Sequence, residues 1–207
     1  MVEKSLNHSL IDTMKKFEEY SKGEYRNIVL ASGEISVSPY RDEVFDIIKR
    51  NQWDVSVFTN ASVYIPALAE LIAMGRAKIQ VSMDAGTKKT FMEIKGIDFW
   101  EKVTKNLQKY AQNAKYKGQI ELKYILLPDM NDNEEDIEGF VALAESLNAD
   151  VMLSSDMHIM DAPLPEKTYS CALRLAKNCN TRGLRLTPVT EFFNPQSYSR
   201  LVKELNN

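Results

Sequence analysis

The sequence predicts an α/β fold, a partial (βα)6 TIM-like barrel with a parallel sheet and outer helices. Three observations predict it. Six short, apolar, β-branched runs recur along the chain, at 27–31, 54–59, 78–83, 120–127, 150–155 and 184–187, as strands of a buried parallel sheet would. Each run is followed by a longer segment with the apolar spacing of an amphipathic helix, and such segments are what parallel neighbours need as crossovers. No Gly/Ser- or Pro-rich linker interrupts the 207 residues, so one domain over 1–207 is expected.

The elements follow in order. A polar helix over 5–21 opens the chain, βα units run over 27–183, and a last strand and helix fill 184–207. Ser38 with Pro39 reads as a cap and first position of a helix that buries Val44, Phe45, Ile47 and Ile48. Ile65, Leu68, Leu71 and Ile72 form the next apolar face, ended by Gly75. Asp98 with Glu101 and Asp132 with Glu135 resemble capping boxes. The first opens a helix carrying Phe99, Val103, Leu107, Tyr110 and Ala114 and closed by Gly118; the second opens one carrying Ile137, Phe140, Val141, Ala144 and Leu147. Pro165 and Pro195 start the last two helices, and Gly183 follows the first of them. Because the strands are apolar almost throughout, burial on both faces is expected.

Composition narrows the function. The formal net charge is −3 and Lys and Glu are spread along the chain, so no basic stripe points to nucleic acid. No apolar run approaches the roughly 18 residues of a membrane span. The polar N-terminus is not a signal peptide, and Cys171 and Cys179 are the two cysteines, which suits a reducing, cytoplasmic compartment. They lie eight positions apart on one predicted helix, about 12 Å along its axis at ~1.5 Å per residue, too far to share a metal or a disulfide. Neither His8, near the N-terminus, nor His158 has a metal partner nearby in sequence, so no metal site is expected.

Parallel α/β folds place ligands at the carboxyl ends of their strands. The polar residues there are Ser32, Gly33 and Glu34 after the first run, Asn60 after the second, Ser82 and Asp84 after the third, Lys123 on the fourth with Leu127 at its end, and Asp156 and His158 after the fifth. Each has an ordinary structural role open to it: Asn60 and Asp84 as helix caps or turn formers, Lys123 as a solvated strand residue. Their coincidence at one rim is what a polar ligand site requires.

In that order these segments resemble the radical S-adenosylmethionine (SAM) family. Ser32-Gly33-Glu34 resembles its Gly-Gly-Glu, Thr59-Asn60-Ala61 its Thr-Asn-Gly, and Ser82-Met83-Asp84-Ala85 its Ser-Leu-Asp-Ala. Thr87, Phe91, Ile94-Lys95-Gly96, Phe99, Val103, Asn106, Leu107, Tyr124 to Pro128 and Asn131 continue the pattern, which covers well over half of the chain. The resemblance implies that Glu34 meets the methionyl ammonium of SAM, that Gly33 lets backbone approach the ligand, and that Ser32 stands for the first Gly. It also implies that Asn60, Ser82 and Asp84 lie near the ribose or methionyl carboxylate, that Lys123 supplies that carboxylate with a cation, and that Leu126 and Leu127 lie near the adenine. Asp156 and His158 are candidates for substrate contact.

The family holds a 4Fe–4S cluster on Cys-x3-Cys-x2-Cys after its first strand. The strand at 27–31 matches the family's second, and no such motif is present, so the cluster has no ligands in this chain. The expectation is a truncated or cluster-less form of an enzyme that uses SAM radical chemistry on a small molecule or peptide, and that does not cleave SAM reductively by itself. Two alternatives stand beside it: a non-catalytic module that binds a ligand or partner, and an unrelated (βα)-barrel lyase or isomerase using Lys123 as a Schiff base or Glu34 and Asp84 as acid and base. A sheet lacking one strand exposes an edge, and self-association there is expected.

Overall fold

The computed structural model describes residues 2–205, and their side chains from Leu10 onward, so His8 lies outside the described side chains. Eight helices alternate with six strands: α1 Val2–Ser21, β1 Asn27–Leu30, α2 Arg41–Arg50, β2 Asp54–Phe58, α3 Pro66–Ala73, β3 Ala77–Ser82, α4 Lys88–Lys95, α5 Trp100–Asn113, β4 Ile120–Leu126, α6 Glu134–Ser146, β5 Asp150–Ser155, α7 Glu166–Thr181, β6 Leu186–Pro188 and α8 Pro195–Leu205. The strands form one parallel sheet in the order β1-β2-β3-β4-β5-β6. Sequential parallel neighbours joined by right-handed crossovers keep their helices on one side, and the sheet curls toward a barrel that stays open.

One face of the sheet is the core. Val55 and Val57, Ile79 and Val81, and Leu122, Tyr124 and Leu126 pack there against the apolar sides of the helices. The other face is not buried as the sequence suggested. Along β3 and β4 buried residues alternate with Lys78, Gln80, Ser82, Glu121, Lys123 and Ile125, which are exposed or half-buried. A closed barrel would fill this interior with side chains; an open one leaves it as a lined hollow. β1 has a strand neighbour on one side, and Val29 on it is 58% exposed. α1 packs on α2 through Lys15–Glu43 at 2.7 Å and Arg50–Glu18, and Phe17 is set edge-on to Trp53 in the turn that follows α2.

Several helix starts differ from the expected ones, and at α2, α5 and α6 the expected cap has another partner. α2 begins at Arg41; the Ser38 hydroxyl accepts the Tyr40 N–H (3.3 Å), and Pro39 holds Ser38 extended at the end of a short turn over Ile35–Val37. α5 begins at Trp100, and Asp98 and Glu101 both meet the Lys88 ammonium at 3.1 Å. α6 is capped by Asn133, whose Oδ1 accepts the Asp136 N–H (2.9 Å), while Asp132 is held by the Thr168 hydroxyl (2.7 Å) and Lys167 (2.8 Å). Pro165 precedes α7 as its cap residue. α5 stops at Asn113, five residues before Gly118, which turns the chain into β4 with φ +86°. The short helix α4, capped by Thr87 and ended by Gly96 at φ +69°, has no counterpart in the expected elements.

The loop from β3 to α4 is seated on α6 by a close crossing. A Cβ on Gly86 would lie 1.9 Å from the Asp136 carbonyl oxygen, and one on Gly139 would lie 2.3 Å from the Gly86 oxygen. The buried Asp136 carboxylate accepts the Gly86 N–H (2.9 Å), the Thr87 N–H (3.0 Å) and the Thr90 hydroxyl (2.6 Å) across this contact. Gly86→Ala and Gly139→Ala are therefore expected to destabilise the fold by about 2–4 kcal/mol, since backbone must move apart. Gly33→Ala, at φ +70° with open space where the Cβ would stand, is expected to cost about 1 kcal/mol through its left-handed backbone alone. Urea midpoints of the three variants give the comparison.

Candidate functional site

The strand ends carry the candidate residues, and short-range bonding fixes them. The turn after β1 presents Glu34. Its Oε1 accepts the Thr59 hydroxyl (2.8 Å) and the Ser36 N–H (3.1 Å), and its Oε2 accepts the Asn60 N–H (2.7 Å). The carboxylate thus binds the ends of β1 and β2 together. All three donors are neutral, and no cation pairs with Glu34 among the described residues. The loop after β2 is held from behind by α5: Asn106 donates to the Ala61 carbonyl (2.9 Å), and the Tyr110 hydroxyl accepts the Ile65 N–H (2.8 Å). Ala61 sits at φ +53°, the left-handed conformation for which glycine is the usual residue.

After β3, Asp84 is also left-handed (φ +57°) and 4% exposed. Its Oδ1 accepts the Ile125 N–H (2.9 Å) and its Oδ2 accepts from Lys95 Nζ (2.6 Å). The buried Asn131 completes the junction, donating to the Asp84 carbonyl (2.8 Å) and the Ile125 carbonyl (2.7 Å) and accepting the Leu127 N–H (2.8 Å).

Two cavities flank this junction. The first, about 550 Å³, brings together Gly33, Glu34, Asn60 and Ser82 from the sequence reading. Gln80, Lys95, Phe91 and Ile97 also line it. These were not singled out as ligands; Lys95 and Phe91 belonged to the family-like pattern, and the alternation of β3 is the signal that places Gln80 beside Ser82. The second cavity, about 230 Å³, brings together Lys123, Leu127, Asp156 and His158, with Ser154 and Phe192. Lys123 therefore lines a different cavity from Glu34. Asp84 lies between the two with its carboxylate bonded inward, and Ser32 is exposed on the turn.

The cysteines are remote from both cavities' linings. Burial pushes the Cys179 thiol up to about 12, and burial, with the charge of Asp132, raises that of Cys171. Among the described residues, no three His, Cys, Asp or Glu side chains gather as metal ligands. The residues of this chain do not fit a 4Fe–4S cluster, whose ligands are deprotonated thiolates. No described helix is long and apolar enough to cross a membrane.

Residues 3–142 match the Radical SAM superfamily, and the chain belongs to that superfamily. Among solved structures it is similar to Streptococcus suis SuiB bound to the precursor peptide SuiA, at 13% identity and a TM-score of 0.62, covering 84% of this chain and 42% of that one. The same protein bound to S-adenosylmethionine gives 12% identity and a TM-score of 0.60, over 84% and 41% of the two chains. A domain of pyruvate-formate lyase-activating enzyme from Bacteroides vulgatus gives 16% identity and a TM-score of 0.58, over 77% and 96%. At these identities the likeness is one of fold, the partial barrel. The chain spans less than half the length of SuiB. No curated protein sequence matches it.

The open face also carries a charge whose cost is measurable. Burial, then the charge of Asp150, raises the pKa of Glu121, while Arg185 and Lys78 act the other way. A carboxyl whose folded pKa is raised favours the fold below its unfolded pKa, near 4.3, and that contribution is lost as pH rises through the folded value. Glu121→Gln is expected to be more stable than the parent at pH 7, with the advantage gone near pH 4, in thermal melts across that range.

Proposed function

We propose that this chain is the SAM-binding part of a radical SAM system, with the first cavity as the SAM site. The observation that carries the reading is Glu34: a carboxylate lining a cavity of about 550 Å³, held by three neutral donors and in no ion pair among the described residues. Its fixed geometry suits an incoming ammonium, and SAM offers both an ammonium and a sulfonium. Ser82 and Asn60 in the same cavity supply polar groups for ribose hydroxyls, and Phe91 of α4 and Ile97 after it give the cavity an apolar wall. Gly33 leaves space beside Glu34 for close approach of a ligand. The substrate class is a small molecule or a peptide; SuiB, a fold neighbour, is known with a precursor peptide bound.

A second reading, a SAM-binding module that does not start the radical step itself, is favoured by the cysteines. Both sit on α7, and their thiols stay protonated at neutral pH. Reductive formation of 5′-deoxyadenosine by the purified chain after anaerobic iron and sulfide treatment would rule this second reading out. The single-neighbour edge of β1 supports self-association. Sedimentation velocity is expected to show a dimer that dissociates on dilution, and a strictly monomeric species across concentrations would remove that element of the reading.

Calorimetric titration tests the central claim. SAM is expected to bind the parent chain, with Glu34→Gln weakening it by about tenfold or more, as loss of a charge-assisted bond predicts. Equal affinity of the two proteins for SAM, or no binding by the parent, would refute the assignment.

A further inference from the structure

The second cavity is built differently from the first. It lies between the ends of β4 and β5, under the segment that follows β6, and Ile125, Leu127, Met157 and Phe192 make its walls mostly apolar. Two polar groups in it have no hydrogen-bonding or ionic partner from another side chain among the described residues. Ser154 is 0% exposed, and its Oγ has no hydrogen-bond partner among the described residues. Burying an unpaired hydroxyl is unfavourable, and such groups mark places where a ligand or water completes the bonding. Lys123 stands with its Nζ 5.2 Å from the centre of the Phe192 ring and pairs with no carboxylate among the described residues. The other charged ammonium at the rim, Lys95, is neutralised by Asp84.

Asp156 also lines the cavity; its Oδ1 accepts the His158 N–H (3.0 Å) and it forms no ion pair with Lys123 among the described residues. The Ser155 hydroxyl is likewise spent on the Phe192 carbonyl, which holds the ring over Lys123. The cavity therefore offers an ammonium in no ion pair and one unpaired hydroxyl inside mostly apolar walls, with the Asp156 carboxylate on the side of the short turn after β5. The matching ligand is an anionic acceptor on an apolar body. At about 230 Å³ the cavity suits a single ring or side chain, not a nucleotide.

We propose that this cavity is a substrate subsite for a carboxylate carried on an apolar body, with Lys123 and Ser154 as its ligands. The assignment as a substrate subsite rests on the SAM reading of the first cavity; binding of the carboxylate does not. The carboxylate belongs either to a small organic acid or to a peptide C-terminus, and the two sources are separable by experiment.

Methyl NMR on the 207-residue chain makes the test. The methyls of Met157 and Ile125 report on this cavity, and those of Ile97 and Val103 report on the first. Benzoate is expected to shift the Met157 and Ile125 signals saturably and leave Ile97 and Val103 in place. Its neutral isostere benzamide is expected to bind about tenfold more weakly or less, because the charge-assisted bonds are lost. Lys123→Gln is expected to abolish the benzoate shift and Lys123→Arg to restore it, with unchanged Ile97 and Val103 signals showing that each variant is folded; Ser154→Ala is expected to weaken it. N-acetylphenylalanine binding more tightly than benzoate identifies a peptide C-terminus as the source, and weaker binding identifies a small acid. Benzamide equal to benzoate, or benzoate shifts retained in Lys123→Gln, would overturn the proposal. Displacement of benzoate by SAM, with SAM shifting the same methyls, would also overturn it and make the cavity part of the SAM site. A chain that binds benzoate but not SAM would refute the SAM reading while leaving carboxylate binding at Lys123 in place.

Discussion

The junction between the ends of β3 and β4 is the constraint on which both cavities depend. Asp84 turns left-handed directly after β3 and aims its carboxylate back at β4, where it takes the Ile125 N–H, and across to Lys95 at the end of α4. Asn131 then closes the loop after β4 onto the same point with three bonds, and the Tyr124 hydroxyl donates to its carbonyl (2.7 Å). Every member is buried or partly buried and satisfied, so the network rigidifies the strand ends instead of straining them. Lys95 is held at the mouth of the first cavity by this network, and Ile125 and Leu127 are fixed as walls of the second. The Gly86–Gly139 crossing serves the same end from outside, locking the loop after β3 onto α6 through Asp136.

Glu34 plays the corresponding part at the β1–β2 end. A carboxylate carrying two bonds on one oxygen and one on the other has lone-pair capacity left for a further donor, and its orientation is set before a ligand arrives. Preorganisation of this kind lowers the ordering cost of binding. Asn106 and Tyr110 extend the support outward, because the loop that delivers Thr59 and Asn60 is pinned to α5 through Ala61 and Ile65. An outer helix thus governs the position of the site's carboxylate without touching it.

Much of this was legible in the residues. The six apolar runs gave the strands nearly to their ends, since β-branched repetition and the intervening helical periods are properties of local sequence. Caps were less legible. Ser38, Asp98 and Asp132 each have the chemistry of a cap, but Tyr40, Lys88 and Thr168 bind them, and two of those three partners come from beyond the next turn of chain. α4 escaped notice because its eight residues follow directly on a strand end and buried Thr90 and Phe91 are too few to show a period. The half-open sheet face was also hidden: burial on both faces assumes a closed barrel, and the polar alternation of Lys78, Gln80, Glu121 and Lys123 was the sign that it is not closed. Glu34, Asn60, Ser82 and Lys123 could be picked out at the strand ends, whereas Gln80, Ile97 and Phe192 could not. The division of the rim into two cavities was not legible, because it follows from the left-handed turn at Asp84 and from the approach of Phe192 after β6, neither of which the local sequence specifies.

That division orders the charges. Glu34 lines the first cavity and Lys123 the second, neither in an ion pair among the described residues, and between them the Asp84–Lys95 pair cancels. Were Lys95 free, it would neutralise Glu34's attraction for a cationic ligand; were Asp84 free, it would do the same to Lys123 for an anionic one. Bonding the middle pair to each other, at 2.6 Å and with Asp84 buried, keeps Lys95 from pairing with Glu34 and Asp84 from pairing with Lys123. A cationic ligand at Glu34 and an anionic one at Lys123 would then lie on either side of one rigid junction, each held by a charge that forms no ion pair among the described residues.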